Sequence, residues 1–145
     1  MATGAGIDAE MRARIAAHQH RRPSSWITVE AEGGRIAELM EPHSEHVQGV
    51  LLDDLGGLAS YAVLHTDSVV AAEGWMEREA ESIFSLLRTR ALPAIAVTSE
   101  VGLSLVPTNE LGRRFIDVLG RANQRWAGVA TSVTFVVAGL PWKLK

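Results

Sequence analysis

Residues 97–138 read VTSEVGLSLVPTNELGRRFIDVLGRANQRWAGVATSVTFVVA, and this stretch decides the fold. Its first two residues close an apolar run, residues 94–98, that has the length of a buried strand. A long helix follows Pro107, with Thr108 as its predicted cap, and residues 132–138 are rich in the Val, Thr and Phe that favour strands. A strand, a helix and a second strand in this order predict an α/β layer fold.

The long helix is amphipathic, because its apolar residues recur every three or four positions along the chain. Such a stripe indicates a helix with one face against a core and the other in solvent. We expect the buried stripe to consist of Leu111, Phe115, Val118, Leu119, Ala122, Trp126 and Val129.

Towards the amino terminus, helical and strand-like segments alternate in the same way. The first helix has Ile7, Met11, Ile15 and His18 on one stripe, and it ends before Pro23 because a proline disfavours helical geometry in the preceding residue. The other predicted elements are a short strand at 26–30, a small helix at 35–40, a buried strand at 49–53, a weak helix at 56–63 and a clear helix at 73–89. Together they predict one α/β domain over residues 1–145, with a mainly parallel sheet and flanking helices.

Composition also favours a single domain. The chain has 145 residues, of which 47% are hydrophobic, and this supports one core but not two. A net charge of -3, from 14 basic and 17 acidic residues, gives no general attraction to nucleic acids or anionic membranes. There is no cysteine, and no run resembles a signal peptide or a membrane span, so we expect a cytoplasmic protein.

Two residues are candidates for chemistry from their positions alone. Asp53 ends the strand at 49–53, where α/β folds bind ligands, and a carboxylate there either reaches Mg²⁺ or opens an ordinary turn. His18 ends the first helix, where its imidazole is either a nucleophile near pH 7 or a ring packed on the apolar stripe. The histidines at positions 20, 43, 46 and 65 lack the spacing of metal ligands, and we assign them no metal.

Several patterns are similar to those of one enzyme family. Residues 97–107 resemble V-T-N-E-V-G-x-G-I-V-P with Ser99 in place of the asparagine, and residues 14–23 resemble R-I-x-x-H-x-x-x-R-P. The patterns A-R-x-F-R-D-x-x-G-x-x-N-Q and V-x-G-x-x-x-K-x-K are matched by Phe115, Asp117, Gly120, Asn123, Gln124, Gly139, Lys143 and Lys145. The chain therefore resembles the bifunctional adenosylcobinamide kinase and adenosylcobinamide-phosphate guanylyltransferase family of cobalamin biosynthesis.

The resemblance implies a transfer in two steps at His18. In the family this histidine attacks the α-phosphate of GTP, holds GMP as a phosphoramidate, and passes it to adenosylcobinamide phosphate. The implied substrates are GTP or ATP with adenosylcobinamide or its phosphate, and the implied assembly is a homo-oligomer with no nucleic acid. The remaining implied contacts are Thr3, Arg21, Arg22 and Glu30 for the nucleotide and Asp53 for Mg²⁺.

The family's phosphate loop is the part that does not match, since no G-x-x-x-x-G-K-[ST] occurs in residues 1–145. The resemblance implies a phosphate-loop NTPase or RecA-like fold, truncated here at its amino terminus, with an incomplete kinase site. Either the coding sequence begins further upstream or the chain is a truncated relative. The alternative function is a noncatalytic or degenerate nucleotide- or corrinoid-binding subunit that needs a partner chain. An unrelated hydrolase has little support, because no G-x-S-x-G pattern is present.

Overall fold

The computed structural model describes residues 16–17, 19–20, 22–31, 33–103 and 105–145. Most of the predicted first helix lies outside these residues, although Ala16, Ala17, Gln19 and His20 are helical. From residue 36 onward the described elements are α1 (Ile36–Met40), a 3₁₀ turn (Glu41–His43), β1 (Val50–Leu52), α2 (Leu55–Leu64), α3 (Val69–Thr89), β2 (Ala94–Ala96), α4 (Glu110–Val129), β3 (Thr134–Val137) and β4 (Leu140–Lys143).

A parallel pair of strands confirms the prediction of an α/β fold. β1 and β2 run side by side in parallel, with Val50, Leu51 and Leu52 opposite Ala94, Ile95 and Ala96. Parallel neighbours need a crossover connection, and α2 and α3 provide it. The sheet and the helices therefore form the layered arrangement that alternating elements predict.

The last predicted strand is followed by another strand that the sequence analysis did not find. β3 pairs with β4 in an antiparallel hairpin, so the strands of the described part are not all parallel. The turn residues Ala138 and Gly139 have φ values of 51° and 79°. Two-residue hairpin turns of this kind need a positive φ at both positions, and Asn or Asp is usual at the first. The turn was missed because position 138 is an alanine, which is not a typical residue of such turns.

The predicted strand at 26–30 was wrong. Residues 26–29 are irregular, and only Glu30 takes part in an isolated β-bridge. The amide of Trp26 donates to the carbonyl of Pro23 at 3.0 Å, so a turn fixes the start of this segment. Strand propensity depends strongly on context, and the turn together with side-chain bonds described below determines the path instead.

Two helix starts also differ from the prediction. α3 begins at Val69, because the side chain of Ser68 accepts a hydrogen bond from the amide of Ala71 at 3.2 Å. α4 is capped by Asn109 rather than Thr108, and its side chain accepts from the amide of Gly112 at 2.6 Å. Asparagine and serine are both strong caps, so the choice between neighbouring candidates is settled by backbone geometry. Within the described residues, no helix is both long and apolar enough to cross a membrane.

The core lies between the sheet and helices α1, α2, α3 and α4. The predicted stripe of α4 is correct at its centre, where Val118, Leu119 and Ala122 are buried. Its ends are exposed, with Leu111 at 47% and Val129 at 48%, because the helix is longer than the core beneath it. The largest fully buried side chains are Ile36, Leu52, Leu55, Ile83, Leu119 and Val118.

The prediction that residues 94–98 form a buried strand was wrong in its burial. Ile95 is 67% exposed and Val97 is 41% exposed, although parallel strands are usually covered on both faces. Leu52, in the neighbouring strand, is fully buried. The helices of the described residues therefore cover one face of this sheet.

Two arginines connect elements at the surface. Arg125 on α4 donates to the carboxylates of Glu77 and Glu81 on α3 and lies 5.2 Å from the centroid of the Phe84 ring. Its hydrogen bond with Glu77 is the main cause that raises the pKa of Arg125. Arg90 pairs with Glu41 at 2.5 Å and with Glu45 at 2.8 Å, and the bond with Glu41 likewise raises its pKa. Both guanidinium groups are therefore charged at any ordinary pH.

Candidate functional site

The carboxyl ends of β1 and β2 lie side by side. The amide of Val97 donates to the carbonyl of Leu52 at 2.9 Å, and the amide of Leu55 donates to the carbonyl of Val97 at 3.0 Å. Asp53 lies between the two residues that bond to Val97, so Asp53 and Thr98 follow adjacent strands at one edge of the sheet. This is the edge at which α/β folds bind their ligands.

Two consecutive aspartates at this edge have different surroundings. Asp54 is the N-cap of α2, and its Oδ1 accepts a hydrogen bond from the amide of Gly57 at 2.9 Å. A role in opening a turn was one of the two alternatives for Asp53, and in the structure its neighbour Asp54 has this role. Asp53 instead lines an open groove on the surface.

The groove has a volume of about 700 Å³ and brings together two of the predicted site residues, Arg22 and Asp53. Its lining includes Leu51 and Ile95, which are opposite each other in the ladder. Because successive strand residues point to opposite faces, the groove lies on the face away from the buried Leu52. Pockets for small molecules commonly have volumes of several hundred Å³.

Side-chain hydrogen bonds join the two segments that flank Pro23. Arg22 Nη1 donates to Thr28 Oγ1 at 3.3 Å, and Gln19 Nε2 donates to Glu30 Oε1 at 3.0 Å. Glu30 does not line the groove, although Glu30 and Asp53 are each a residue of an isolated β-bridge. The carboxylate of Glu30 thus bonds to Gln19, which directly follows His18 in the chain.

Three predicted site residues, Thr3, His18 and Arg21, lie outside the described residues, and their roles stay predictions. Sequence spacing gave no reason to connect His43 and His46 with the site, yet both line the groove. They come from the 3₁₀ turn and the loop before β1, and only the folded chain brings them near the sheet.

A metal ion at this edge would need oxygen ligands. Among the residues that the structure describes, no cluster of three or more His, Cys, Asp or Glu side chains is arranged to hold a metal ion. A single carboxylate fits Mg²⁺ nevertheless, because this ion is often bound by one or two carboxylates together with substrate phosphates and water. Asp53 has the right chemistry and the right strand-end position for that role.

A second polar cluster at this edge was missed in the sequence. Thr98 Oγ1 donates to Asn123 Oδ1 at 2.6 Å, and Asn123 Nδ2 donates to the carbonyl oxygen of Ser99 at 3.0 Å. Glu100 accepts from the amide of Gly102 at 2.5 Å and tightens the same loop. The polar residues directly after β2 were a signal in the sequence, but their partner lies about two dozen positions further on.

A parallel pair of strands, a carboxylate at a strand end and an adjoining groove are typical of α/β proteins that handle phosphorylated ligands. The model of the family described as cobinamide kinase / cobinamide phosphate guanyltransferase matches residues 1–144. The chain belongs to this family of transferases of cobalamin biosynthesis.

Curated relatives support the same assignment. The chain is 35% identical over 145 residues to the bifunctional adenosylcobalamin biosynthesis protein CobP of Pseudomonas aeruginosa, covering all of this chain and 80% of the relative. It is 31% and 33% identical over 153 residues to the bifunctional adenosylcobalamin biosynthesis proteins CobU of Escherichia coli and Salmonella typhimurium. In both cases all of this chain and 84% of the relative are covered.

Proposed function

We propose that this chain transfers GMP from GTP to adenosylcobinamide phosphate through a guanylylated His18. The observation that carries the proposal is a groove lined by both Arg22 and Asp53, which extends along β1 from the residues before it to Asp53 at its carboxyl end, in a chain whose family is established over residues 1–144. Arg22 supplies positive charge for a phosphate, and Asp53 supplies a carboxylate for a metal ion. We propose Thr3, Arg21 and Glu30 as further contacts to the nucleotide.

The proposed transfer has two displacements at the α-phosphorus. A nitrogen of His18 attacks it, a P–N bond forms, and the bond to the bridging oxygen breaks so that pyrophosphate leaves. A phosphate oxygen of adenosylcobinamide phosphate then attacks the same phosphorus, the P–N bond breaks, and the imidazole is regenerated. Each step replaces one bond to phosphorus by another, so neither an oxidant nor a reductant is needed.

Mg²⁺ is the metal that we propose for Asp53, where it would neutralise charge on the triphosphate. This assignment agrees with a phosphate-loop NTPase or RecA-like fold, in which a strand-end carboxylate serves the metal. For residues 1–145 we propose the guanylyl transfer rather than the kinase step, because they contain no G-x-x-x-x-G-K-[ST]. GTP is the proposed nucleotide, with ATP as the alternative.

We further propose that the chain forms a homo-oligomer and acts in the cytoplasm, where nucleoside triphosphates are available. Several apolar side chains of β2, β3 and β4 are exposed, and contact with another copy would cover part of this surface. Sedimentation of the purified chain at several concentrations measures the assembly directly.

Covalent labelling tests the function. The full chain is incubated with Mg²⁺ and GTP labelled at the α-phosphate, and the label retained by the denatured protein is counted. We expect a label that is stable in alkali and labile in acid, as a phosphoramidate is, and that is absent from His18→Ala. His20→Ala is the matched control, because this helical and exposed histidine lies two positions along the chain. Equal labelling of wild type and His18→Ala would refute the assignment.

A noncatalytic subunit completed by a partner chain is the second candidate. The observation that favours it is the exposure of Ile95 on the parallel strand β2, at 67%. Strands of α/β sheets normally have such residues covered. This candidate predicts no label on the chain alone and co-purification with a full-length family member. A label formed by the isolated chain would count against it.

A further inference from the structure

The side chain of Asn123 connects the amphipathic helix α4 with the proposed metal site. It lies on α4, which contributes no residue to the groove, and its two hydrogen bonds go to Thr98 and Ser99 directly after β2. No role in the proposed transfer requires this amide to touch a substrate. Its effect must therefore pass through the residues that it holds.

The two bonds need an amide in one orientation. The oxygen of Asn123 accepts from the hydroxyl of Thr98, while its nitrogen donates to the carbonyl of Ser99. A carboxylate of the same shape accepts but does not donate, so it would place an oxygen against the carbonyl oxygen. The neighbouring Ala122 is buried in the core, and the amide thus projects from a well-packed part of α4.

The segment that Asn123 holds is fixed to β1 on its other side. Val97 bonds to Leu52 and Leu55 through its amide and its carbonyl, and these residues flank Asp53 and Asp54. Neighbouring strands lie about 4.8 Å apart, which is within reach of one hydrated metal ion. The position of Thr98 and Ser99 relative to Asp53 is therefore set from two directions, by β1 and by Asn123.

We propose that Asn123 is a positioning residue for the metal–nucleotide site: it holds Thr98 and Ser99 beside Asp53, and this placement determines how tightly the edge binds a divalent cation together with a nucleoside triphosphate. The proposal rests on the proposed function, which assigns Mg²⁺ to Asp53. Asn123 itself contacts neither the cation nor the nucleotide.

Titration of Mg²⁺ in the presence of a fluorescent GTP analogue tests the proposal on the full chain. We expect Asn123→Asp and Thr98→Val to raise the Mg²⁺ concentration at half-maximal binding by about fivefold or more, since each removes a hydrogen bond that orders the edge. Thr98→Ser keeps the hydroxyl and should stay within about twofold of wild type. Gln124→Glu makes the same charge change as Asn123→Asp at the adjacent exposed residue, and it should also stay near wild type.

Thermal unfolding of the same variants separates positioning from mere stability. If Asn123→Asp and Thr98→Val melt at lower temperature but share the wild-type Mg²⁺ midpoint, the proposal is overturned and the proposed function stands. Thr98→Val keeps the test decisive if Asn123→Asp does not fold. If the folded wild type binds no Mg²⁺ and GTP analogue at all, the proposed function fails first and this proposal fails with it.

Discussion

The adjacent residues Asp53 and Asp54 have different roles, one at the groove and the other in stabilising a helix. The carboxylate of Asp54 accepts from the amide of Gly57 and so caps α2, whereas Asp53 lines the groove. An N-cap satisfies a donor that has no partner inside the helix, and its loss is felt in stability. The loss of a carboxylate that binds a metal is instead detected as weaker metal-dependent binding.

Substitution of each aspartate should separate the two roles. Asp54→Ala should lower the free energy of unfolding by about 1 kcal/mol, while Asp54→Ser keeps most of the cap. Asp53→Asn preserves the shape of the side chain but should abolish the Mg²⁺ dependence of GTP binding. Urea unfolding and Mg²⁺ titration measure the two effects on the same samples. An unchanged Mg²⁺ dependence in Asp53→Asn would remove this residue from the proposed metal site.

At the scale of elements, a side chain of α3 fixes the start of α1. Glu79 accepts hydrogen bonds from the amides of Arg35 at 3.0 Å and Ile36 at 3.2 Å. The chain reaches this position through Gly34, whose φ is 85°. A Cβ at Gly34 would lie 2.4 Å from the Trp75 ring, so no other residue fits here without rearrangement. Short α1 is thus defined by its contacts with α3 rather than by helix propensity.

Two glycine substitutions should have opposite effects on stability. Gly34→Ala should destabilise the fold by about 2–3 kcal/mol, from a strained backbone and a clash with Trp75. Gly120→Ala, within α4, should stabilise it by about 0.5–1 kcal/mol, because nothing lies within 4 Å of the added Cβ. Urea unfolding at constant pH measures both. A loss of stability in Gly120→Ala would show that the open space around this helix face is filled in solution.

At the scale of the whole molecule, one core joins the sheet to the four helices α1, α2, α3 and α4. Leu52 from β1, Leu55 from α2, Ile83 from α3 and Leu119 from α4 are all fully buried in the same cluster. A core shared by elements from distant parts of the sequence favours cooperative unfolding in one step. The ion pairs of Arg125 and Arg90 lie outside this cluster and are screened by solvent.

A pair of leucine truncations tests this view of the core. Leu119→Ala should lower the free energy of unfolding by about 3 kcal/mol, since it leaves a cavity among packed side chains. Leu144→Ala makes the same chemical change at a side chain that is 58% exposed, and it should change stability by less than about 0.5 kcal/mol. Circular dichroism and tryptophan fluorescence should give coincident transitions in wild type. Separate transitions would mean that the described elements do not share one core.

The sequence predicted those elements whose pattern is local and whose burial is periodic. The centre of α4 is correct because Val118, Leu119 and Ala122 satisfy the helical repeat. The hairpin of β3 and β4 was missed because Ala138 lacks the turn signal, and the strand at 26–30 failed because a turn at Pro23 overrides its propensity. These outcomes depend on turn geometry that cannot be recognised from the identity of single residues.

The roles of the candidate site residues stay predictions, but the structure gives the positions of some of them. Arg22 and Asp53, both found from patterns along the chain, line one groove. The bond between Thr98 and Asn123 could not be found in that way, because it joins a loop after β2 to a helix face far along the sequence. The same holds for His43, which reaches the groove only through the path of the chain between α1 and β1.

The hairpin of β3 and β4 also affects how the protein behaves at high concentration. Trp142 is 64% exposed on β4, and the two strands present further apolar side chains to solvent. Exposed apolar edges are templates for pairing between chains, and sulfate or phosphate salts strengthen such contacts. Self-association should therefore increase with protein concentration and with these salts, so dilute samples in chloride buffers are the better choice for storage.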